Sequence, residues 1–468
     1  MWMILDDKSS TPLKNQIYTK MKELILSETF VSGEKMPSTR ALAKELRVSR
    51  NTILEVYDQL TAEGYLIGIQ GSGTVVASGI RKPSKLIHSP MNHSTKQNKS
   101  ESKDIIDFRS GTPDLNYFPR REWAKLYYNV CIDLPSSAFN YTHPAGVREL
   151  RHAISKYLNQ MRGISCSPDN IMIVSGSTQG LSLISQLLFT DKKEVIVEDP
   201  LHHGLLNVIS AAGYTITALA ADDKGMNTNL LQPSDRISFI YTTPSHQYPL
   251  GGILPIQRRL SLIEYASDND CYIIEDDYDS EFRYEGQPVN SLYELNSEKV
   301  IYIGSFSKIL APALRLGFLL LPTRLIPAYL KLKMYSDLHT EVISQHVLSE
   351  FMKSGGFDKH IWKMKKIYSR KREHLLKELY AHFPDEFVLK GQAAGLHIVI
   401  QFYNIIFTEK LICRIQSSLI KIYPVENYAL QNLGNHQSEI LLGYAHLSME
   451  DITKGIQILS KILHSPKD

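Results

Sequence analysis

The sequence predicts two folded domains of different class, a small helical domain ending in a β-hairpin and a larger α/β domain with a mostly parallel sheet. Three observations lead to this prediction. Three amphipathic helical segments and two short strands fill residues 1–77, and a polar stretch without any period covers residues 78–103. Beyond it, near-continuous apolar runs of four to six residues alternate with longer helical patterns, as in sheets that helices cover on both faces.

Length and composition agree with several globular domains. The chain has 468 residues, of which 43% are apolar and 22% charged, and this is too long for one ordinary core. No run of eighteen apolar residues is present, and the first residues do not read as a secretory signal. The four cysteines are far apart and show no metal-binding spacing. We therefore expect a cytoplasmic protein without a membrane span or a metal site.

The front domain has the element order of a winged helix-turn-helix. An amphipathic helix around Ile17 and Met21 is followed by a short helix that Ser38 caps. A third helix is capped by Ser49 and stops before Gly64. The following segment, YLIGIQGSGTVVA, has the pattern of two strands joined by a glycine-bearing turn.

Charge and helix position predict that this front domain binds DNA. Residues 1–103 hold 15 Lys and Arg against 10 Asp and Glu, a balance of +5, while the remaining residues hold 37 against 39. In such a domain the first residues of the third helix lie at base edges, and the preceding helix and the wing meet phosphates. The predicted DNA-contacting residues are Ser38, Arg40, Ser49, Arg50, Asn51, Thr52, Gly71 and Gly73. Arg50 alone has the simpler interpretation of a solvated helix charge, so the prediction depends on the whole set.

Residues 78–103 are predicted to be a flexible linker. The segment is rich in Ser, Lys, Asn and Gln, and it cannot bury enough apolar surface to offset the entropy of ordering it. The predicted domains are therefore 1–77 and 104–468.

The larger domain has five predicted buried strands, at residues 171–174, 195–198, 237–242, 272–275 and 300–304. In parallel sheets, ligands bind where these strands end. Gly176, Ser177 and Thr178 follow the first strand and open a helix, which favours a phosphate. Acidic residues and a tyrosine, DDYDSEF, follow the fourth strand.

The segment after the fifth strand, SFSKILAPALR, carries one lysine, Lys308, between apolar flanks. A surface lysine would fit these flanks poorly, whereas a buried lysine loses its charge readily and can form a Schiff base with an aldehyde. A lysine, a carboxylate and a phosphate site at one sheet edge are what pyridoxal 5′-phosphate (PLP) requires. The sequence therefore predicts PLP as the cofactor.

Longer motifs resemble known families. The front segment resembles the GntR-type DNA-binding domain, with its P-S-x-R start, V-S-R-x-T helix and G-x-G-T wing. Residues 105–460 resemble fold-type I aminotransferases through TPSHQYPLGG, EDDYDSEFRY and GSFSKILAPALRLG, and the combination resembles the MocR/GabR regulators. The resemblance implies an α/β PLP-dependent transferase fold with a small C-terminal α+β subdomain at about 345–468. It also implies a homodimer that binds a double-stranded DNA operator.

The resemblance further implies roles for single residues. Lys308 would form the Schiff base, Asp276 would pair with the pyridinium nitrogen, with Asp277 as its rival, and Tyr278 and His246 would lie beside the phenolic oxygen. The residues implied for the phosphate are Ser177, Thr178, Ser305, Ser307, Arg315 and, reaching into the partner subunit, Tyr141.

The substrate side departs from the aminotransferase pattern and leaves three functions open. Related enzymes clamp the substrate carboxylate with an arginine, but the corresponding segment here is SEILLGYAHLS, and Arg414 is the only arginine after residue 372. Leu201 and His202 also replace a more usual Gly-Tyr. The chain is expected to be a regulator that senses PLP itself or an amino compound through an aldimine at Lys308. The alternative is an active aminotransferase with an accessory DNA-binding domain.

Overall fold

A computed structural model describes residues 3, 5–6, 9–71, 73–80, 105–287, 289–431 and 434–465. The chain divides into two compact units, Met1–Lys99 and Ser100–Asp468. From residue 81 onward the predicted linker lies outside the described residues, and the domain boundaries stay predictions. Among the described helices, none combines the length and the apolar character that a membrane crossing requires.

The first unit is a winged helix-turn-helix, as predicted. Its elements are α1 (Leu13–Leu26), α2 (Thr39–Leu46), α3 (Arg50–Ala62), β1 (Leu66–Ile69) and β2 (Gly73–Val76). The two strands pair antiparallel as a hairpin. One face of each helix is apolar, and Ile17, Leu42 and Ile53 from the three helices are fully buried in a common core. This packing leaves the start of α3 at the surface, because no apolar side chain occurs in its first three residues.

Both serines predicted as helix caps have this role. Ser38 Oγ accepts a hydrogen bond from Ala41 N at 3.2 Å, and Ser49 Oγ accepts one from Thr52 N at 3.1 Å. Ser49 Oγ also lies 2.8 Å from the Thr52 hydroxyl. Each cap satisfies one of the backbone N–H groups that a helix start leaves without a partner.

We expect Ser49→Ala to destabilise the first unit by about 1 kcal/mol, because the cap of α3 is lost. Ser49→Asp is the matched control, since aspartate caps helices as well as serine does but adds a negative charge. It should keep the stability and weaken DNA binding. Urea unfolding and DNA titration of the full-length variants check this. Equal stability of Ser49→Ala and the wild type would contradict the role of the cap.

The second unit contains a three-layer α/β domain and a smaller subdomain. The elements as far as α7 are β3 (Ile106–Asp107), α4 (Arg120–Asp133), α5 (Arg148–Arg162), β4 (Ile171–Val174), α6 (Ser177–Leu187), β5 (Glu194–Asp199) and α7 (His203–Ala211). The next are β6 (Thr215–Asp222), β7 (Gly225–Met226), β8 (Ile237–Thr242), α8 (Ile256–Asp268), β9 (Tyr272–Asp277), α9 (Leu292–Leu295), β10 (Val300–Ser305) and β11 (Gly317–Leu320). The last are α10 (Ile326–Ser336), α11 (Ile343–Lys353), α12 (Gly356–His382), β12 (Phe387–Lys390), β13 (His397–Phe402), α13 (Glu409–Ser417), β14 (Ile420–Lys421), β15 (Tyr423–Pro424), β16 (Glu439–Gly443) and α14 (Met449–His464).

The central sheet has eight strands in the order β4-β11-β10-β9-β8-β5-β6-β7, and it is mostly parallel, as predicted. Strand β11 runs antiparallel to both of its neighbours, so β4 and β10 point the same way. Alternate residues of β4 enter two different cores: Ile171 and Ile173 join one, and Met172 and Val174 join the other. Helices therefore cover both faces, which explains why the strands are apolar throughout.

The smaller subdomain is an antiparallel sheet, β12-β13-β16-β15, packed with α12, α13 and α14. Its core also contains Ile106 and Phe108, from the start of the unit, because β3 pairs with β14 in parallel. Phe108 fits closely against Gly455 of α14, where a Cβ atom would come within 2.6 Å of its ring. The first and last segments of the unit are thus packed in one core.

Candidate functional site

Polar side chains gather where the parallel strands of the central sheet end. Glu198 and Asp276 lie near the ends of β5 and β9, Lys308 follows β10, and Ser177 opens α6 after β4. Since these strands run parallel, their carboxyl ends share one edge of the sheet. This edge is where the sequence predicts a ligand.

A backbone carbonyl group holds the amine of Lys308 at this edge of the sheet. Its Nζ donates a hydrogen bond to the Gly111 carbonyl at 2.5 Å. Gly111 has φ +69°, and a Cβ atom there would come within 2.6 Å of Nζ, so the approach requires glycine. Burial lowers the pKa of Lys308, although the Asp279 and Asp276 carboxylates act against it. The neutral amine is the nucleophilic form, and at a given pH more of it is therefore present than in an exposed lysine.

Asp276 is a buried carboxylate with one oxygen free. Its Oδ2 accepts a hydrogen bond from the Tyr241 hydroxyl at 2.5 Å, while Oδ1 has no partner among the described residues. Burial raises the pKa of Asp276 to about 6. A buried oxygen without a hydrogen-bond partner is costly. Oδ1 is therefore placed to accept a hydrogen bond from a bound ligand.

We expect Asp276→Asn to flatten the pH dependence of stability in protein stripped of small molecules. Because the pKa of Asp276 is raised in the fold, its stabilising contribution is complete below its unfolded value near 3.8 and is lost as the pH rises through about 6. The unfolding free energy of the variant relative to wild type should therefore increase by on the order of 3 kcal/mol between about pH 4 and about pH 7. Urea unfolding across this range measures it, with the exposed Asp235→Asn as the control. A constant difference would contradict the raised pKa.

Asp277, the rival carboxylate, has other partners. Its Oδ2 lies 2.8 Å from Arg162 Nη2, and it accepts hydrogen bonds from Tyr302 at 2.7 Å and from Ser280 at 2.9 Å. Successive side chains of a strand point to opposite faces, so Asp276 and Asp277 cannot share one environment. Of the two acids, Asp276 is the one with a fully buried oxygen that lacks a hydrogen-bond partner among the described residues.

Tyr278 and His246 lie side by side at this edge, and Asp279 contacts His246. The Tyr278 hydroxyl donates to the His246 carbonyl at 2.9 Å and lies 3.1 Å from His246 Nδ1, which is 3.1 Å from Asp279 Oδ1. His397 is also close, and possible ligand atoms of His246, Asp279 and His397 lie within 4.8 Å of one another. Hydrogen bonds engage His397 Nε2, which lies 3.0 Å from the Pro249 carbonyl, and His246 Nδ1, which contacts Asp279, whereas His246 Nε2 has no partner among the described residues.

The start of α6 and Arg315 form an anion cradle. Helix α6 begins at Ser177 without a side-chain cap, and its N-cap Gly176 has φ +93°. Arg315 Nη2 donates to the Ser175 carbonyl at 2.6 Å, and a Cβ atom at Gly176 would come within 2.7 Å of that nitrogen. Backbone N–H groups, a helix dipole and a guanidinium thus lie together, which suits a phosphate.

The remaining predicted phosphate ligands are arranged differently. Thr178 is exposed in the first turn of α6, next to Ser177. Ser305 Oγ, at the end of β10, accepts a hydrogen bond from Ser307 N at 3.2 Å, so these two serines form one turn. Tyr141 is 78% exposed and its ring lies 6.2 Å from that of His339. Among the described residues, no hydrogen bond joins Tyr141 to the other predicted phosphate ligands.

The segment where an arginine clamp was expected is the buried strand β16. Leu441 packs there with Leu250, Val399 and Val425. Glu439, at the start of β16, pairs with Lys390 at 2.6 Å. Arg414, in α13, donates to the Ile462 carbonyl of α14 and is thereby engaged away from β16.

In the first unit, the predicted DNA-contacting residues are exposed or partly exposed. Arg50 and Asn51 are exposed at the start of α3, and Arg40 is exposed on α2. In the hairpin, Gly71 and Gly73 are exposed with φ +77° and +97°, values that glycine adopts readily. The Ser38 and Ser49 hydroxyl groups accept capping hydrogen bonds from backbone N–H groups, and the Ser49 and Thr52 hydroxyl groups lie 2.8 Å apart.

Comparisons with known proteins agree with both halves of this description. Residues 13–76 match the family of bacterial regulatory proteins of the gntR type, and residues 103–412 match aminotransferase class I and II. The uncharacterized HTH-type transcriptional regulator YdeL of Bacillus subtilis is 34% identical over 96% of each chain. The probable rhizopine catabolism regulatory protein MocR of Rhizobium meliloti is 29% identical over 98% of this chain and 95% of its own. The chain belongs to the MocR-type transcriptional regulators.

Two further relatives bear on the second unit of this MocR-type regulator. The pyridoxine biosynthesis regulator PdxR of Corynebacterium glutamicum is 29% identical over 85% of this chain and 84% of its own. The crystal structure of Pyrococcus horikoshii kynurenine aminotransferase, in complex with PMP, superposes with a TM-score of 0.71 at 28% identity, covering 79% of this chain and 93% of the other. The fold is thus that of fold-type I aminotransferases, as the resemblance implied.

Sequence reasoning missed three residues at the site of this regulator: Gly111, Tyr241 and Asp279. Gly111 is 197 residues from Lys308, and nothing in its own segment, SGTPD, points to a lysine. Tyr241 lies within the apolar strand β8 and reads as core. Asp279 could have been found from the acid-rich segment DDYDSEF, where it is the third acid.

Proposed function

We propose that the chain is a PLP-dependent transcriptional regulator that binds operator DNA with α3 and the hairpin and holds PLP at Lys308. One observation carries the cofactor proposal: the free, buried Asp276 Oδ1 lies at the same sheet edge as a lysine with a lowered pKa. PLP, when bound, supplies an aldehyde that condenses with a lysine amine and a ring nitrogen that favours a carboxylate partner. Both groups therefore fit the residues present.

The other predicted ligands complete this fit. We assign Tyr278 and His246 to the phenolic oxygen, since the Tyr278 hydroxyl lies beside the histidine ring and not in the core. We assign the phosphate to the start of α6, to Ser305 and Ser307, and to Arg315. Tyr141 would reach the phosphate of a second subunit, which makes the proposed regulator a homodimer and explains why its ring is exposed here.

The substrate side favours sensing of PLP itself over sensing of an amino acid. An amino-acid effector needs a partner for its carboxylate, for which a bidentate guanidinium is the best group. Leu441 and Leu442 are buried and apolar on β16, and Arg414 donates to another helix. The name of the similar regulator PdxR, which concerns pyridoxine biosynthesis, agrees with this proposal. An amino compound without a carboxylate is the second candidate effector.

The aminotransferase alternative is disfavoured by the same observation. Productive transamination requires the substrate to be held with its reacting carbon beside the lysine, and a carboxylate clamp supplies most of that orientation. With an apolar strand in that position, we expect binding of the cofactor without efficient turnover. Such a cytoplasmic regulator would convert cofactor occupancy into a change of DNA affinity, through different affinities of the ligand for two conformations.

A DNA-binding titration tests the proposal. The full-length protein is titrated onto a labelled duplex taken from upstream of its own gene, with and without PLP, and with pyridoxine 5′-phosphate as a control that lacks the aldehyde. PLP should change the apparent affinity and the control should not. An affinity that PLP leaves unchanged would contradict PLP sensing. Turnover of an amino donor to a keto acid at ordinary enzyme rates would support the aminotransferase instead.

A further inference from the structure

A cluster of buried polar side chains in the second unit extends from the candidate site into the smaller subdomain. His246 follows β8, Asp279 follows β9, and His397 opens β13. Their exposed fractions are 2%, 1% and 1%. The ring centres of His246 and His397 are 5.0 Å apart. His246 is a proposed ligand of PLP, so the two side chains beside its ring bear on how it meets the cofactor.

Asp279 fixes the tautomer of His246. Its Oδ1 and Oδ2 lie 3.1 and 3.2 Å from His246 Nδ1, and in the part of the chain that the structure describes no other side chain forms a hydrogen bond with this carboxylate. A carboxylate accepts hydrogen bonds and does not donate them, so Nδ1 carries the hydrogen. His246 Nε2 is buried and has no partner among the described residues. Asp279 thus determines which nitrogen of His246 is protonated and how the ring is turned.

His397 supports the same ring from the smaller subdomain. Its Nε2 lies 3.0 Å from the carbonyl of Pro249, three residues after His246. Burial lowers the pKa of His397 to about 4, so its ring is neutral at neutral pH. A neutral histidine donates from one nitrogen, and a carbonyl accepts, so Nε2 is the donor. This hydrogen bond ties β13 to the segment that carries His246.

A glycine of the smaller subdomain packs directly against the His246 ring. A Cβ atom at Gly395 would overlap His246 Cε1 and would come within 2.6 Å of Asp279 Oδ2, and the φ of Gly395, +84°, also favours glycine. The Gly395 N–H donates to the Phe282 carbonyl at 2.8 Å, and the Gly395 carbonyl accepts from the Tyr444 hydroxyl at 2.7 Å. The backbone at Gly395 is therefore held in place, and it limits the rotation of the ring.

We propose that Asp279 and His397 are positioning residues, which hold His246 in the orientation that the cofactor requires. This role rests on the proposed function, in which His246 is a ligand of PLP. Asp279 belongs to the α/β domain and His397 to the smaller subdomain, so His246 has both supports when the two pack as they do here. Binding of PLP then stabilises this packing, because a ligand favours the conformation to which it binds more tightly.

PLP binding by the full-length chain tests this role, with the absorbance spectrum of the bound cofactor as a second readout. Asp279→Ala removes the acceptor of His246 Nδ1, whereas Asp279→Asn keeps an acceptor oxygen and is the conservative variant. We expect Asp279→Ala to weaken PLP binding about tenfold and to shift the absorbance maximum at saturating PLP. Asp279→Asn should lie closer to the wild type in both. Lower stability alone reduces the amount of folded protein, but it does not shift the maximum of the protein that binds.

A second pair of variants is needed because Asp279 also favours the charged form of Lys308. His397→Leu loses the donor to the Pro249 carbonyl, and His397→Gln keeps a donor. His397→Leu should weaken PLP binding about fivefold and shift the absorbance maximum, and His397→Gln should do both to a smaller extent.

Two glycine variants test the packing against the ring. Gly395 and Gly355 have φ values of +84° and +74°, but no atom lies within 4 Å of a Cβ atom at Gly355. Gly355→Ala therefore has the same kind of backbone strain without the contact, and we expect Gly395→Ala to weaken PLP binding more than this control does. Should Gly395→Ala fail to fold, the aspartate and histidine pairs still decide.

Three results would overturn the proposal. The first is an unchanged PLP affinity with an unshifted absorbance maximum in Asp279→Ala or in His397→Leu. The second is an equal effect of Asp279→Ala and Asp279→Asn, since the charge of Asp279 would then matter and not its hydrogen bond. The third is an equal PLP affinity of folded Gly395→Ala and Gly355→Ala. A wild type that gains no cofactor mass on Lys308 after borohydride reduction with PLP would instead contradict the proposed function.

Discussion

Lys308→Ala should abolish covalent attachment of PLP completely. Burial lowers the pKa of the Lys308 amine and thereby favours its neutral form, and Asp276 and Asp279 are its charged neighbours. Alanine removes the amine that hydrogen-bonds to the Gly111 carbonyl, so position 308 no longer has a nucleophile. Borohydride reduction in the presence of PLP, followed by peptide mass spectrometry, should find the cofactor mass on the Lys308 peptide of the wild type. In the variant this signal should fall to background, and the effect of PLP on DNA affinity should disappear with it.

Two controls separate the chemistry of Lys308 from its charge and from non-specific labelling. Lys308→Arg keeps a positive charge, but its guanidinium stays protonated and cannot condense with an aldehyde, so attachment should again be lost. Lys331→Ala removes an exposed lysine of α10 and should leave the adduct unchanged. Retention of the adduct in Lys308→Ala, or its location on another lysine of the wild type, would refute the assignment of this site.

Arg162→Met should destabilise the second unit by about 3–5 kcal/mol, because it leaves the Asp277 carboxylate buried without a cation. The two side chains are 5% and 3% exposed, and Arg162 Nη2 lies 2.8 Å from Asp277 Oδ2 and also donates to Ser245 Oγ at 2.8 Å. Burial by itself lowers the pKa of Arg162, but Asp277 together with Tyr302, Glu275 and Glu281 outweighs it, and the pKa is raised. The guanidinium therefore stays charged. Urea unfolding of the full-length protein measures the loss.

A surface pair provides the comparison for this prediction. Arg236 lies 2.9 Å from Glu194, but its side chain is 71% exposed, so Arg236→Met should cost about 0–1 kcal/mol. The double variant Arg162→Met/Asp277→Asn removes both charges and should recover part of the loss. If Arg162→Met and Arg236→Met are equally stable, the Arg162–Asp277 pair does not have the role that its burial suggests.

Local patterns were enough for the elements and for the reactive lysine. Ser38 and Ser49 were predicted as caps from their position before amphipathic segments, and they are caps because that hydrogen bond is made within one turn of the chain. Lys308 stood out because apolar segments flank it, and the same segments form β10 and the buried turn after it. These features depend on residues that are close in sequence, so they can be predicted from the sequence alone.

The surroundings of the adjacent acids Asp276 and Asp277 required the fold. Spacing in EDDYDSEF favours Asp276 but does not show which partners either carboxylate has. Only the direction of the β9 pleat decides that Asp276 meets Tyr241 and keeps one oxygen free, while Asp277 turns to Arg162. The spacing of residues along the chain does not show which face of a strand packs against which layer of helices.

The sequence by itself determined that this chain joins a winged helix-turn-helix to an α/β domain with one lysine at a strand end, because periodicity, caps and apolar flanks are properties of short segments. Only the tertiary structure decided what surrounds that lysine. The Gly111 carbonyl, 197 residues away along the chain, accepts its hydrogen bond, and Asp276 and Asp279 are its charged neighbours. Such contacts arise when distant segments pack together, and packing depends on the shape and burial of the whole core.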